Sequence, residues 1–248
     1  MKADPGFLAR MAGKALDLLY PPVCPVCNEV QGDGKVLCLP CAASLPRMRR
    51  PFCGKCGEHF HGRIDGAFVC PNCSDLSFAF EFARPALLRD DRTLEMIHRL
   101  KYNRQIHLAK DLGKLAAEAL QDERFAPALA GKWPLVPVPL HRSRQAERHF
   151  NQAAEIARSL SITSGLPLLE ALERTRKTET QTHFGRVKRM ENLQGAFGIS
   201  KAGARWPEKA GAIIVDDVLT TGSTVDACAK TLRKAGFHSV YVITVMRG

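Results

Sequence analysis

Two adjacent carboxylates, Asp216 and Asp217, follow an apolar run and precede a short loop of small hydroxylated residues around one glycine. The loop consists of Thr220, Thr221, Gly222, Ser223 and Thr224. Unpaired N–H groups at a helix start favour an anion, and the glycine lets the backbone wrap closely around it. The loop therefore predicts a monophosphate pocket. Because carboxylates accept hydrogen bonds from sugar hydroxyls, the combination fits a ribose 5-phosphate with free 2′- and 3′-hydroxyls. The structural alternative is an N-capped helix with a solvated acid pair.

Eight of the nine cysteines form four C-x-x-C pairs between positions 24 and 73. The pairs are Cys24/Cys27, Cys38/Cys41, Cys53/Cys56 and Cys70/Cys73. Each pair is a tight turn that offers two thiolates, and two such turns joined by a hairpin complete a closed, structural zinc site. The spacer between the first two pairs carries Gly-Asp-Gly, which indicates a hairpin. We predict two structural Zn²⁺ ions in two sequential ribbons, although the spacing also permits the sites to interleave.

The first twenty residues do not look like a secretory signal, because Arg10, Lys14 and Asp17 interrupt the apolar stretch. No apolar run approaches the roughly 20 residues of a membrane span, so we expect no transmembrane segment. We therefore expect a cytoplasmic protein, in which disulfides are disfavoured and metal is the use for paired cysteines. The amphipathic stretch at the start predicts a helix packed on the protein itself. Docking at the inner membrane face or on a partner is the alternative.

Positive charge dominates the chain, with 36 Lys and Arg against 25 acids and a formal net charge of +11. Two zinc–thiolate sites lower this to about +7, so the excess lies largely outside the ribbons. The excess points to anionic partners such as phosphates, nucleic acid or an acidic membrane. The basic residues cluster as Arg142, Arg144 and Arg148, and as Arg174, Arg176, Lys177, Arg186, Lys188 and Arg189. These clusters predict either a track for a nucleic-acid backbone or a solvated face.

From about residue 81 onward, helical patterns alternate with continuous apolar runs. Helices are predicted within 93–102, 106–120 and 225–235, with another opening at Asn151. Strands are predicted at 134–140, 212–219 and 239–246. Strand, helix and strand with both strands fully apolar is typical of a parallel sheet covered on both faces. We predict an amphipathic N-terminal helix over 1–22, a double zinc ribbon over 23–80 and a parallel-sheet α/β domain over 81–248.

The stretch "IIVDDVLTTGST" resembles the signature of the type I phosphoribosyltransferases, which bind 5-phosphoribosyl-1-diphosphate (PRPP). The order of motifs along nearly the whole chain is similar to the ComF family of competence-associated proteins. These motifs are the paired ribbons, "RLKY", "VPVPLHRSR", "FNQA", "RTRKTETQ", "RMENLQGAF" and the PRPP loop. The resemblance implies a type I phosphoribosyltransferase-like fold for the α/β domain.

The resemblance also implies roles for individual residues. Asp216 and Asp217 would be the catalytic pair that holds the ribose diol, the loop 220–224 would hold the 5′-phosphate, and Mg²⁺ would bridge the pyrophosphate and the ribose hydroxyls. The segment with Arg142 and Arg144 takes the place of the pyrophosphate loop. Arg148 belongs to the next family motif, in which His149 replaces the usual glycine. A downstream motif contributes Gln181, Arg189 and Asn192, whose roles the chemistry does not assign.

Three functions stay open from the sequence. The first is a Mg²⁺-dependent phosphoribosyltransferase that displaces pyrophosphate at the anomeric carbon through an oxocarbenium-like transition state. Its acceptor is not identified, because the sequence shows no added segment (a hood) of the kind that holds a free nucleobase in such enzymes. The second is a single-stranded-DNA-handling module of natural competence and DNA uptake that uses PRPP as an effector. The third is a scaffold whose ribbons dock a helicase-like competence protein.

Overall fold

The computed structural model of the protein describes residues 23–31, 37–64, 66–176 and 193–248. The predicted N-terminal helix, the Gly-Asp-Gly turn and the residues Gln181, Arg189 and Asn192 lie outside these ranges. The chain divides into two compact units, Met1–Leu45 and Pro46–Gly248. The first four paired cysteines belong to the first unit, and the other four share the second unit with the α/β fold. The boundaries at 23 and 81 stay a prediction.

The described part of the first unit contains a cysteine knuckle and a short helix. The Cys24 N–H donates to the Glu29 carbonyl over 2.8 Å, and the Asn28 N–H donates to the Cys24 carbonyl over 2.8 Å. Asn28 closes this turn with a left-handed φ of 60°. Helix α1 (Leu39–Ser44) begins directly after Cys38, whose Sγ accepts the Cys41 N–H. Each C-x-x-C pair therefore lies in a tight turn, as the spacing predicts.

The second unit repeats this knuckle with the same hydrogen bonds. The Cys53 N–H donates to the Glu58 carbonyl over 2.8 Å, and the Gly57 N–H donates to the Cys53 carbonyl over 2.9 Å. Gly57 has a left-handed φ of 69°, like Asn28. Helix α2 (Pro71–Ser74) begins directly after Cys70. Glu58 thus occupies the position in the second ribbon that Glu29 occupies in the first.

The remainder of the second unit is an α/β fold. Its strands are β1 (Phe82–Leu87), β2 (Leu135–Pro137), β3 (Leu172–Arg174), β4 (Phe197–Ile199), β5 (Gly211–Leu219) and β6 (Ser239–Arg247). Its helices are α3 (Asp91–Tyr102), α4 (Leu108–Ala117), α5 (Ala126–Ala130), α6 (Arg142–Arg148), α7 (Gln152–Ser164), α8 (Lys201–Arg205) and α9 (Ser223–Lys234), with 3₁₀ turns at Glu118–Gln121 and Glu123–Phe125.

Four strands form one parallel sheet in the order β1-β6-β5-β2. In its register, Tyr241 of β6 lies opposite Ile213 of β5, which lies opposite Leu135 of β2. At that edge Leu135 also bridges Leu168 in parallel, while β3 and β4 form a separate antiparallel pair. The prediction of an α/β domain with a parallel sheet is confirmed. The carboxyl ends of β2 and β5 therefore meet at one edge of the sheet.

Most predicted elements are present with shifted ends. Asn151 caps α7 as predicted, because its side chain accepts the Ala153 N–H. The predicted helix at 106–120 ends earlier, at Ala117, and continues as a 3₁₀ turn. The predicted strand at 134–140 is only three residues long. Pro137 and Pro139 limit it, because proline has no N–H to donate to a neighbouring strand.

Candidate functional site

Each set of four paired cysteines gathers into one cluster, and the two clusters fit two structural zinc ions. Cys24, Cys27, Cys38 and Cys41 form the first, and Cys53, Cys56, Cys70 and Cys73 form the second. Within each cluster all four sulfurs lie within 4.8 Å of one another. The Cys27–Cys38 and Cys56–Cys70 sulfur distances are 3.8 and 3.7 Å. Tetrahedral coordination with Zn–S bonds of about 2.3 Å places sulfurs about 3.8 Å apart. The pairing is sequential, as predicted.

The second cluster is more deeply buried than the first. All four of its cysteines are buried, whereas Cys27 of the first cluster is exposed and Cys41 is partly exposed. The hydrogen bond from the Cys56 thiol, with the N–H groups of Cys56 and Cys70, lowers the pKa of Cys53 to about 4. The pKa values of Cys56 and Cys70 are raised, so Cys53 is the cysteine of this cluster whose surroundings most favour the thiolate that zinc binds.

The hydroxyl-rich loop forms a cup at the start of α9. Gly222 is the N-cap residue and takes a left-handed φ of 79°. The hydroxyl oxygens of Thr221 and Ser223 lie 2.9 Å apart, and the Ser223 N–H donates to the Thr221 hydroxyl oxygen over 3.4 Å. Thr220 is exposed at the end of β5, and Thr224 is half-buried in the first turn of α9. The structure thus brings the five predicted phosphate-binding residues together at a helix N-terminus, directly after a parallel strand.

The two acids ahead of this loop have different surroundings. Asp217 is only 4% exposed, and its carboxylate pairs with the Lys101 ammonium in the last turn of α3. Asp216 is half-buried, and its Oδ1 accepts the Asp217 N–H over 2.9 Å. Burial, followed by the charge of Asp217, raises the pKa of the Asp216 carboxyl well above its ordinary value. Asp216 is therefore the more accessible carboxylate and Asp217 the one neutralised by the protein.

Strand geometry explains this difference. Successive side chains of a strand point to opposite faces of the sheet. Asp216 therefore shares a face with Ala212 and Ile214, whereas Asp217 shares the other face with Ile213 and Val215. Ala212 and Ile214 belong to one buried cluster with residues of α9. The Asp217 side is the one reached by Lys101 of α3.

The predicted pyrophosphate segment follows β2 and forms α6. Arg142 is exposed, whereas Arg144 is partly buried and its charge lowers the pKa of Arg174, after burial of the Arg174 guanidinium itself. Arg148 lies over the Tyr102 ring at 4.9 Å and donates to the Gln152 side chain over 3.0 Å. Arg142 is thus the most accessible of the three predicted arginines, and Arg148 is engaged with neighbouring side chains.

A cavity of about 740 Å³ adjoins this segment. Its walls include His141, Arg142, His149, Glu173 and Arg174. His149 takes a left-handed φ of 67° at the end of α6, at the position where a glycine is usual in the resembling family. The histidine therefore keeps the backbone conformation that a glycine adopts without strain.

The sequence did not reveal two residues that support the loop, one through its backbone carbonyls and the other through an ion pair with the first. Arg247 donates to the carbonyl oxygens of Leu219 and Thr220, and Glu58 of the second ribbon pairs with Arg247. The only signals are an arginine directly after the last apolar run and an acid two residues after Cys56. Lys101 lies in the recognised motif "RLKY", but its pairing with Asp217 joins residues more than a hundred positions apart.

The fold and the cysteine clusters define a zinc-ribbon α/β protein, and the comparisons with known proteins agree. Residues 15–74 match the family model of the double zinc ribbon domain. Competence protein F of Haemophilus influenzae is 28% identical over 83% of this chain and 88% of its own length. The DNA utilization protein YhgH of Escherichia coli K12 is 29% identical over 91% of this chain and 90% of its own length. Competence protein ComFC of Bacillus subtilis is 26% identical over 98% of this chain and 92% of its own length. The predicted resemblance to the ComF family is confirmed.

Within the described ranges, no helix is both long enough and apolar enough to cross a bilayer.

Proposed function

We propose that this ComF-type protein binds PRPP at the carboxyl edge of β5 and uses it in the handling of DNA. The observation that carries the proposal is the loop 220–224, with Gly222 left-handed at the start of a twelve-residue helix and two carboxylates immediately upstream. Ligands of parallel α/β sheets bind at this edge of the sheet. The N–H groups and hydroxyls of the loop supply donors for the 5′-phosphate.

The two acids divide the work on the ribose. Asp216, which is half-buried, accepts the hydrogen bonds of the diol and would give Mg²⁺ the oxygen ligand that it prefers. Asp217 forms an ion pair with Lys101. This pair fixes the end of β5 and limits the negative charge next to Asp216. Mg²⁺ would supply charge neutralisation between the pyrophosphate and the ribose hydroxyls.

The basic segment after β2 supports a diphosphate group beside this position. The Val138 N–H donates to the Val215 carbonyl, so the segment leaves the sheet next to the acids. Arg142 and Arg144 follow at once on α6. Arginine pairs with phosphate oxygens through two parallel hydrogen bonds, and such groups stabilise a departing pyrophosphate.

A link to DNA is supported by the relatives, which are named for competence and DNA utilization. The net formal charge of +11 suits a phosphate backbone. The exposed Arg142 and Arg176 are the described members of the basic clusters that solvent reaches most freely. Two roles follow: PRPP is the donor for a phosphoribosyl transfer, or it is an effector of DNA binding.

Pyrophosphate release separates these two roles. The purified protein is incubated with Mg²⁺ and PRPP, with and without single-stranded DNA, while pyrophosphate and DNA binding are both measured. Pyrophosphate release that depends on single-stranded DNA or on another added acceptor indicates a transferase. PRPP-dependent DNA affinity without release indicates an effector. In either case DNA affinity should fall with salt, with a slope of about 0.7 in log K per phosphate contact. No effect of PRPP on either quantity, together with no PRPP binding, contradicts the proposal.

A further inference from the structure

We propose that the second zinc ribbon positions the phosphate loop through two sets of contacts, the first made by Glu58 and Arg247 and the second by Phe78 and Ala79. In naming PRPP as the ligand whose affinity depends on this support, the inference rests on the function proposed above. The contacts themselves do not depend on it.

Arg247 is the central residue of the first set of contacts. Its guanidinium donates to the carbonyl oxygens of Leu219 (2.5 Å) and Thr220 (2.6 Å), where β5 ends and the loop begins. Its side chain is only 12% exposed, and the Glu58 carboxylate is its ion-pair partner. A buried guanidinium needs a fixed counter-charge. Glu58 therefore determines where Arg247 lies, and Arg247 determines where the two carbonyls lie.

The segment that follows Cys73 makes the second set of contacts. The Ala79 N–H donates to Asp226 Oδ1 over 2.7 Å, and Asp226 is a buried residue in the first turn of α9. The rings of Phe78 and Phe80 stack with centroids 4.7 Å apart. A side chain at Gly222 would meet the Phe78 ring at 3.5 Å, so this ring lies directly behind the loop. Both phenylalanines belong to the same buried cluster as the four cysteines of the second ribbon.

The second knuckle is itself fixed to the sheet, backbone against backbone. The Ala83 N–H of β1 donates to the Lys55 carbonyl over 2.8 Å. A Cβ at Gly57 would lie 2.3 Å from Pro85 Cδ, so the knuckle approaches β1 more closely than any side chain there would allow. The equivalent residue of the first knuckle is Asn28, which has the same left-handed conformation but a full side chain. Glycine at this position thus allows the second knuckle to pack closely against β1.

Zinc at the second cluster would therefore act on the phosphate loop without touching it. The metal holds the two turns that carry Glu58 and lead to Phe78, because Cys56 and Cys73 are two and five residues away from them. Loss of the ion would release both sets of contacts together. The first cluster belongs to the other compact unit, Met1–Leu45.

A matched pair of substitutions tests this inference in the full chain. Glu58→Gln removes the charge that fixes Arg247 but keeps the size of the side chain. Glu29→Gln makes the same change at the equivalent position of the first knuckle.

The readouts are zinc content, Mg²⁺-dependent PRPP affinity and hydrogen exchange of the peptide 217–228. We expect Glu58→Gln to keep two zinc ions, to exchange faster in this peptide and to bind PRPP about 10-fold more weakly, in line with the loss of a charge-assisted contact. Glu29→Gln should match the wild type.

Unchanged exchange in Glu58→Gln would overturn the inference, whatever PRPP does. If the wild type binds no PRPP while exchange still responds to Glu58→Gln, the proposed function fails and the positioning role stands. Arg247→Lys provides a second variant in case Glu58→Gln folds poorly. Lysine keeps the charge but lacks the fork that reaches both carbonyls, so faster exchange in 217–228 is expected and normal exchange contradicts the inference.

Discussion

At the scale of single residues, the acid pair after the apolar run is two different groups. Asp217 is neutralised by Lys101, whereas Asp216 stays half-buried beside a like charge. That arrangement disfavours the ionised form of Asp216 in the ligand-free protein. A bound cation or a diol that donates hydrogen bonds would relieve the cost. The site is therefore built at the expense of stability, as expected where charge is held ready for a ligand.

The stability cost of Asp216 can be measured through its dependence on pH. The pKa of this carboxyl is higher in the folded than in the unfolded protein, so ionisation lowers the free energy of unfolding as the pH rises above about 3.9, the ordinary carboxyl pKa. Asp216→Asn removes the ionisation. We expect this variant, without ligand, to be more stable than the wild type at pH 7, and the difference to shrink as the pH falls toward 4.

Urea unfolding of both proteins between pH 4 and pH 8 is the measurement. Loss of zinc at low pH affects the two proteins alike, so the difference between them isolates Asp216. A variant less stable than the wild type at pH 7, or a difference that does not change with pH, contradicts the assignment.

At the scale of elements, two tight turns with left-handed residues frame the candidate site. His149 ends α6 at a φ of 67°, and Gly222 begins α9 at a φ of 79°. A residue with a Cβ loses roughly 1–2 kcal/mol in this conformation. Part of that is regained in the comparison with glycine, because glycine loses more backbone entropy on folding. The turn at His149 therefore carries backbone strain, whereas the turn at Gly222 does not.

Exchanging the residue types at these turns should move stability in opposite directions. We expect His149→Gly to raise the free energy of unfolding by up to about 1 kcal/mol, and Gly222→Ala to lower it by roughly 1–2 kcal/mol. Denaturant unfolding of the two variants beside the wild type measures both. Destabilisation by His149→Gly would mean that the imidazole makes contacts that outweigh its backbone strain.

Elements with a strong local pattern were predictable, and those defined by distant partners were not. β5 and β6 are continuous apolar runs, and the capping side chain of Asn151 marks the start of α7. β1 escaped prediction because Pro85 interrupts it, which an edge strand tolerates. β3 and β4 are three residues each and pair across more than twenty positions, so nothing local marks them.

The same division holds within the site. The phosphate loop and the cysteine pairs are local patterns, and the structure gathers each of them as predicted. The contacts of Lys101 with Asp217 and of Glu58 with Arg247 join distant parts of the chain. Only the sheet order and the position of the second ribbon create them, so sequence spacing alone gives no sign of either.

At the scale of the whole molecule, the two ribbons have similar knuckles but different surroundings. The cysteines of the second ribbon belong to the buried cluster of the α/β fold, whereas the first ribbon lies in a separate compact unit. The packing makes the second ribbon part of the α/β core.

Metal content and cysteine replacement test this asymmetry. The purified protein should hold about two zinc ions per chain, and Cys24→Ser and Cys53→Ser should each lose about one. Cys53→Ser should also destabilise the unit 46–248, typically by several kcal/mol, because a buried metal site contributes directly to folding. Cys24→Ser should leave that unit unchanged when protease resistance of 46–248 is followed. Equal effects of the two variants on this unit would contradict the asymmetry.

The measurement that tests the central claim most directly is a calorimetric titration of PRPP in the presence of Mg²⁺. We expect the wild type to bind, and Asp216→Asn combined with Asp217→Asn to bind at least about 10-fold more weakly, because charge-assisted hydrogen bonds contribute roughly 1.5–3 kcal/mol each. Glu123→Gln, at a side chain that is 87% exposed, is the control and should bind like the wild type. Wild-type affinity in the double variant, or no binding by the wild type, would contradict the account.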